Sequence, residues 1–347
     1  MKKLNLDSKI QNSKLNITKN FIYYLIAPLV ILLTGIILLC TIGFNLGTDF
    51  TGYSVVKVYV NNEPEIVDDA VSSYDLNDKQ DYNEVYNKIV NALSNQDVKI
   101  TTYTISSINI VEDNFIVSNG QAVEIKYQHN TTDLELIEVT DNTIRQNLIT
   151  EFSYQNYDGA VSSADFVKPS ANFGWTIAIV ASIVFAFIAS AIYMSFRYNP
   201  TASLVMLMQL ALDLFLVIAM LTICRLTINF SMGIILLATF AFSLFNIIYF
   251  YMKTKDNLKS EKHGKVSLSQ LANITTKEIT FKKMLIYGLL LIATILFTAV
   301  AVEGVRQVAL GLLIALVVTF YTSTFILPSF WATLFKNKSK QKNDKNK

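Results

Sequence analysis

Apolar and polar positions are sharply segregated along the chain, and six stretches are long and uncharged enough to cross a bilayer. A helix spanning the roughly 30 Å hydrocarbon core needs about 20 mainly apolar residues. Phe21 to Phe44, Phe173 to Phe196, Leu226 to Met252, Met284 to Val302 and Val308 to Phe335 carry no charge, and Thr201 to Cys224 carries only Asp213. The first span is too long for a secretory-signal core, and no small-residue cleavage pattern follows it, so it is expected to remain as an anchor. The pattern predicts a first transmembrane helix within residues 21–45 and five more within 173–335. An N-terminal segment 1–20, a loop 253–283 and a tail 336–347 lie outside the bilayer.

Residues 46–172, between spans one and two, are too many for a connection and enough for a small folded domain. Ser54 to Val60 alternates as a strand should, Tyr82 to Ser94 has helical spacing through Val85, Ile89, Val90 and Leu93, and Val98 to Val111 alternates again. A strand at Ala122 to Tyr127, a helix across Leu134 to Phe152 and a last strand around Val161 to Val167 complete a β-α-β-β-α-β order. That order is the ferredoxin-like α+β arrangement.

Charge orients these segments, because Lys and Arg flanking spans stay cytoplasmic. Residues 1–20 hold five Lys and one Asp, residues 253–283 eight Lys and three acids, and the tail six Lys and one Asp. Arg197 joins this side, whereas Arg225, in the turn after span three, is a lone exception. The 46–172 segment is acidic, with 20 acids against 7 bases, while the rest of the chain has 22 bases against 7 acids. The chain is therefore expected in the cell membrane as a multi-pass protein with both termini cytoplasmic and the acidic domain outside. The Lys clusters would meet anionic membrane lipids. Tyr23, Tyr24, Tyr249, Tyr251 and Trp331 near span ends read as interface anchors.

Overall, 16% of residues are charged, against about 25% in soluble chains, and 52% are hydrophobic. Cys40 and Cys224, both in or beside apolar runs, exclude a disulfide framework and CxxC metal spacings. His129 and His263 lie far apart in polar sequence and read as solvated loop residues. The acidic group Glu63, Glu65, Asp68 and Asp69 lacks the glycine and spacing of a calcium loop and reads as a solvated face. No metal, cofactor or nucleic-acid partner is expected, and neither a nucleophile–base pattern nor an ATP-binding loop is present. An acid in mid-bilayer is costly, at least ~2.5 kcal/mol, and marks a functional position; Asp213 is the thirteenth of 24 residues in its span. Glu303 and Arg306 flank the short turn before the last span and are expected to pair there.

At the exit of span one stands Phe44-Asn45-Leu46-Gly47-Thr48-Asp49-Phe50-Thr51-Gly52-Tyr53. It resembles the G-x-D-F-T-G-G signature of the SecF family, carried here by Gly47, Asp49, Phe50, Thr51 and Gly52, with Tyr53 at the last glycine. Phe196-Arg197-Tyr198 is similar to that family's F-R-[FY] turn, and Leu210-Ala211-Leu212-Asp213 to its L-L-H-D. Ser243-Leu244-Phe245-Asn246 stands at its S-I-N-D, Lys253 to Asn257 at its R-I-R-E-N, and Glu303-Gly304-Val305-Arg306 with Ala309 to Ile314 and Tyr321-Thr322-Ser323 at its closing motifs.

The resemblance implies a half-unit of the RND membrane architecture. It would act with a six-span SecD-like subunit, beside the SecYEG channel and a YidC-like insertase, on an exported polypeptide, drawing on the proton-motive force. By the same resemblance Asp213, Asn246 and Lys282 are the candidate coupling residues, with a divergent proton site: Asn246 replaces a carboxylate and Lys282 an Arg. An amide does not titrate near neutral pH, and an ammonium lacks the planar fork of Arg. An RND-type proton-coupled transporter of a lipid or small molecule is the alternative, and a membrane-anchored structural protein a third reading.

Overall fold

The computed structural model describes residues 6–11, 13, 16–61, 74, 76, 78–94, 96–112, 115–131, 133–152, 161, 164–170, 173–260, 266–301 and 303–335. The elements in order are α1 (Leu6–Gln11), α2 (Phe21–Thr41), α3 (Thr48–Thr51), β1 (Tyr53–Asn61), α4 (Lys79–Ser94), β2 (Val98–Glu112), β3 (Phe115–His129), α5 (Leu134–Glu151) and β4 (Asp165–Val167), followed by α6 (Phe173–Arg197), α7 (Pro200–Ile223), α8 (Met232–Lys259), α9 (Leu268–Val300) and α10 (Glu303–Phe325). They form two compact units, Met1–Asn45 with Phe173–Lys347, and Leu46–Asn172.

The second unit is a four-stranded antiparallel sheet ordered β2-β3-β1-β4, with α4 and α5 packed together. This is the ferredoxin-like arrangement. Period-two alternation aims Val56, Val58 and Val60 of β1 and Val123, Ile125 and Tyr127 of β3 at one face, where Val85 and Ile89 of α4 and Ile144 and Leu148 of α5 close the core. Asp133 caps α5, its side chain accepting from the Glu135 amide at 3.1 Å. The Gly47–Gly52 signature is one helical turn, α3, ending at Gly52, whose amide returns to the Thr48 carbonyl at 2.9 Å. Gly52 has φ +75°, and a Cβ there would lie 2.7 Å from the Val167 carbonyl, so only glycine fits. The Thr51 hydroxyl donates to the Gly47 carbonyl at 3.2 Å. The group Glu63 to Asp69 and His263 lie outside the described residues.

In the first unit, six helices are long and apolar enough to cross a membrane. Their ends depart from the hydropathy pattern for local reasons. α2 stops at Thr41 because Gly43 turns left-handed, with φ +74°. Residues 226–231 form a turn rather than the start of span four, and the helix begins at Met232. Much of the expected 253–283 loop is helical, since α8 runs on to Lys259 and α9 begins at Leu268 with a capping box between Ser267 and Gln270. α10 breaks at Ile326, two residues before Pro328, and helix resumes over 327–335; proline clashes with the preceding turn and lacks the N–H to continue it.

Close packing is local and specific. A Cβ on Gly35 of α2 would sit 2.5 Å from the Ala219 Cβ of α7. Trp331 and Tyr251, read from sequence as interface anchors, are core residues instead: Trp331 is edge-on to Phe250 and stacked on Phe335. Near the chain start, Asn16 and Thr18 hydrogen-bond Asn273 of α9, and the Lys277 ammonium donates to the Ser13 carbonyl.

Candidate functional site

Asp213 sits on α7, a helix with proline in its first turn and the Asn199 side chain accepting the Ala202 amide at 2.8 Å. Its side chain points into the bundle and is fully buried. Gln209, one turn earlier, donates to one carboxylate oxygen at 3.0 Å, and the Ser243 hydroxyl of α8 donates to the other. Thr322 of α10 also faces the carboxylate.

Lys283 of α9 is the second buried charge, 1% exposed. Its ammonium donates to the hydroxyls of Ser323 at 2.7 Å and Thr324 at 3.4 Å on α10. It faces Asp213 electrostatically without an ion pair within 4 Å among the described residues. Below them, the Asn246 amide of α8 donates to the Phe242 carbonyl at 2.8 Å and to the Tyr287 hydroxyl, which lies 3.3 Å from Thr319. The Oε1 of Gln209 and the Oδ1 of Asn246 are buried acceptors with no partner among the described residues.

Four helices thus converge an acid, a base, two amides and a run of hydroxyls in the protein interior. Of the residues named from the sequence, Asp213 and Asn246 lie in this cluster, and the base in it is Lys283 and not Lys282. Lys282 lies on the exposed face of α9 and takes no part. The helical rotation of about 100° per residue decides this: Thr276, Ile279, Lys283 and Tyr287 form one buried stripe, and Lys282 lies off it. That stripe was readable from the sequence. The ion pair expected between Glu303 and Arg306 falls on a Glu303 side chain outside the description, and Arg306 donates to the Ala301 carbonyl at 3.3 Å.

The ferredoxin-like domain has its own buried polar group, which sequence reasoning missed. His129, expected on a solvated loop, ends β3 and is 5% exposed. Asp141 of α5 accepts from the Ser54 hydroxyl at 2.7 Å and the Tyr127 hydroxyl at 2.7 Å, and its Oδ1 lies 3.0 Å from His129 Nε2. Burial opposes the Asp141 charge, but the bonds from His129, Tyr127 and Ser54 outweigh it and hold the carboxyl below the usual range. Burial, with the adjacent carboxylate, pushes the Tyr127 phenol up. With Ser54 fully buried, this Ser-His-Asp set pins α5, β1 and β3 together.

Six helices long and apolar enough to cross a membrane, with a ferredoxin-like domain following the first of them in the chain, define a multi-pass membrane protein. The family described as "Protein export membrane protein SecD/SecF, C-terminal" matches residues 148–337, and the chain belongs to that family. Protein translocase subunit SecF of Rickettsia bellii is 22% identical over 301 residues, covering 86% of each chain. Protein translocase subunit SecF of Acidaminococcus fermentans is 22% identical over 335 residues, covering 94% of this chain and 99% of that one. A crystal structure of SecDF in its Super-membrane-facing form shares the fold with a TM-score of 0.68 at 14% identity, covering 96% of this chain. This chain spans 40% of the SecDF chain's length.

Proposed function

We propose that the protein is an accessory subunit of the Sec translocase that works with a SecD-like partner to move or insert polypeptides, and that its Asp213–Lys283 cluster couples this work to the proton gradient. The observation that carries the coupling is the pair itself: a carboxyl and an ammonium, both buried at membrane depth, each bonded to hydroxyls rather than to the other. Two oppositely charged groups, the carboxyl accepting from one hydroxyl and the ammonium donating to two others, can change partners when a proton arrives. A permanently closed ion pair would resist that. Asn246 then serves as a hydrogen-bonding neighbour through Tyr287, not as a proton carrier.

Both termini lie in the cytoplasm in this reading, and Leu46–Asn172 is outside, where it meets the emerging polypeptide. SecYEG, a YidC-like insertase and anionic lipids are the surrounding partners. The opposed charge balances of the two units support that orientation. Export of a Sec-dependent reporter, followed in cells with and without an uncoupler, tests the reading. Asp213→Asn and Lys283→Met are expected to export at the uncoupled wild-type rate whether or not the gradient is present, while still copurifying with the SecD-like subunit. Export by both variants that keeps the wild-type response to uncoupler sinks the coupling. Purification that never yields a SecD-like partner sinks the assignment. In a background without Cys40 and Cys224, Lys168→Cys should react with an impermeant maleimide added outside; protection there reverses the topology.

A further inference from the structure

Arg225 stands out twice. It is a cation at the outer end of α7 in the orientation proposed above, against the rule that positive charge stays inside. It is also the one non-glycine residue with positive φ, +52°, among the described residues, a conformation that persists only where the surroundings over-determine it.

Those surroundings are hydrogen bonds to the exit of α2. The Arg225 guanidinium donates to the Gly43 carbonyl at 2.7 Å. In return, the Asn45 side-chain amide donates to the Arg225 carbonyl at 2.8 Å and to the Thr227 hydroxyl at 3.3 Å, and the Asn45 carbonyl accepts the Ile228 amide at 2.8 Å. Gln307 of α10 joins from the other side, accepting the Thr227 amide at 3.2 Å. Three segments distant in sequence meet at this knot: the last residues before the outer domain begins at Leu46, the turn that leaves α7, and the first turns of α10. α7 carries Asp213, and α10 carries Thr322, Ser323 and Thr324. Farther down, α2 is in direct contact with α7 through Gly35 and Ala219, so the knot closes the top of a pair already packed along its length.

We infer that Arg225 and Asn45 form a clasp that ties the segment leading into the outer domain to the two helices bearing the polar cluster, making them positioning residues through which a change at that cluster reaches the domain. The inference rests on the coupling reading above. In it, a change of partner at Asp213 shifts α7 against α10, and the clasp carries that shift to Asn45. The left-handed turn at Arg225 aims its carbonyl and its guanidinium at the same short segment, from Gly43 to Asn45. An unclasped exit would leave the four residues 42–45 between α2 and the domain without these bonds, and the shift would dissipate there.

The test uses the full chain with its SecD-like partner in proteoliposomes, with amide hydrogen exchange read at residues 46–61 with and without an imposed proton gradient. The wild type is expected to show a gradient-dependent change in those amides. Arg225→Gly keeps the left-handed turn, and relieves its strain, but removes the guanidinium; Asn45→Ala removes the return bonds. Both are expected to fold and to copurify with the partner. Both should lose the gradient response at 46–61 while retaining a gradient response at the amides around Asp213, and Arg225→Lys, which keeps a donor for the Gly43 carbonyl, should restore the response at 46–61. Arg225→Gly and Asn45→Ala proteins with a wild-type response at 46–61 overturn the clasp while leaving the coupling reading intact. A wild type with no gradient response at either place overturns both. Should Arg225→Gly fail to fold, Asn45→Ala and Arg225→Lys decide the matter alone.

Discussion

Asp141 and Asp213 are both buried carboxylates, yet they are built to opposite specifications. In the ferredoxin-like domain, Asp141 has donors on both oxygens from Ser54, Tyr127 and His129, all held by the register of β1 against β3. There the basic partner, His129, lies on the carboxylate itself, and the network is closed. In the bundle, Asp213 too has donors on both oxygens, from Gln209 and Ser243 with Thr322 facing it, but its counter-charge Lys283 binds hydroxyls of another helix instead of the carboxylate, and two nearby amide oxygens have no partner among the described residues. A buried polar network that is complete rigidifies its surroundings, while an incomplete one holds alternatives of similar energy. The first arrangement makes a pin, and the second is the one on which the coupling proposed above rests.

Breaking one member of each cluster should expose this difference. The largest effect is expected from Lys283→Met or Asp213→Leu alone, since each strands a buried opposite charge; about 3–5 kcal/mol is at stake. The double variant should recover much of that loss, because the two positions are coupled. Melting of the purified protein in detergent measures both. A double variant that loses the sum of the single losses would mean that the charges do not sense each other.

Asp141→Asn should cost the domain about 1–3 kcal/mol by leaving buried donors unmatched. The sign of its pH dependence follows from the lowered Asp141 carboxyl. That contribution is complete above the unfolded carboxylate value near ~4 and is lost as pH falls through the lower folded value. Wild-type resistance of residues 46–172 to pulse proteolysis in urea should therefore fall below about pH 4, and the fall should be shallower in Asp141→Asn. A midpoint that falls as steeply in the variant would remove Asp141 from the account.

Packing supplies an effect of similar size, confined to the bundle. Gly35→Val brings a Cβ against the Ala219 backbone, where a Cα lies 2.8 Å away, and should cost about 1–3 kcal/mol of bundle stability without changing the domain's urea midpoint. The smallest effect is expected at Lys282, whose exposed side chain makes Lys282→Gln a change within about 0.5 kcal/mol and neutral for export. If Lys282→Gln and Lys283→Gln prove equally damaging, the assignment of the buried base to Lys283 is wrong.

Much of this was legible before the fold was known. Uncharged runs marked the six helices, and alternation in Ser54 to Val60 and Val98 to Val111 marked strands of the right order. Asp213 was visible because an acid within an apolar run has few innocent explanations. Lys283 was missed because motif matching favoured its neighbour, although the stripe through Ile279 and Tyr287 selects 283. The Asp141 pin was not legible at all. Ser54 and Tyr127 meet only through strand register, His129 joins them by the period-two repeat, and Asp141 arrives on the buried side of α5 beside Ile137 and Ile144. Residues so distant in sequence leave no local pattern. Helix ends, too, depended on tertiary hydrogen bonds such as the one from Ile228 to Asn45.

The claim that Asp213 exchanges a proton is tested most directly by infrared difference spectroscopy of the full complex in lipid on a drop in pH. A carboxylic C=O band that appears in the wild type, is absent from Asp213→Asn and shifts in position in Lys283→Met is the result expected. A spectrum for Asp213→Asn that superimposes on the wild type in the carboxylic region would contradict the account.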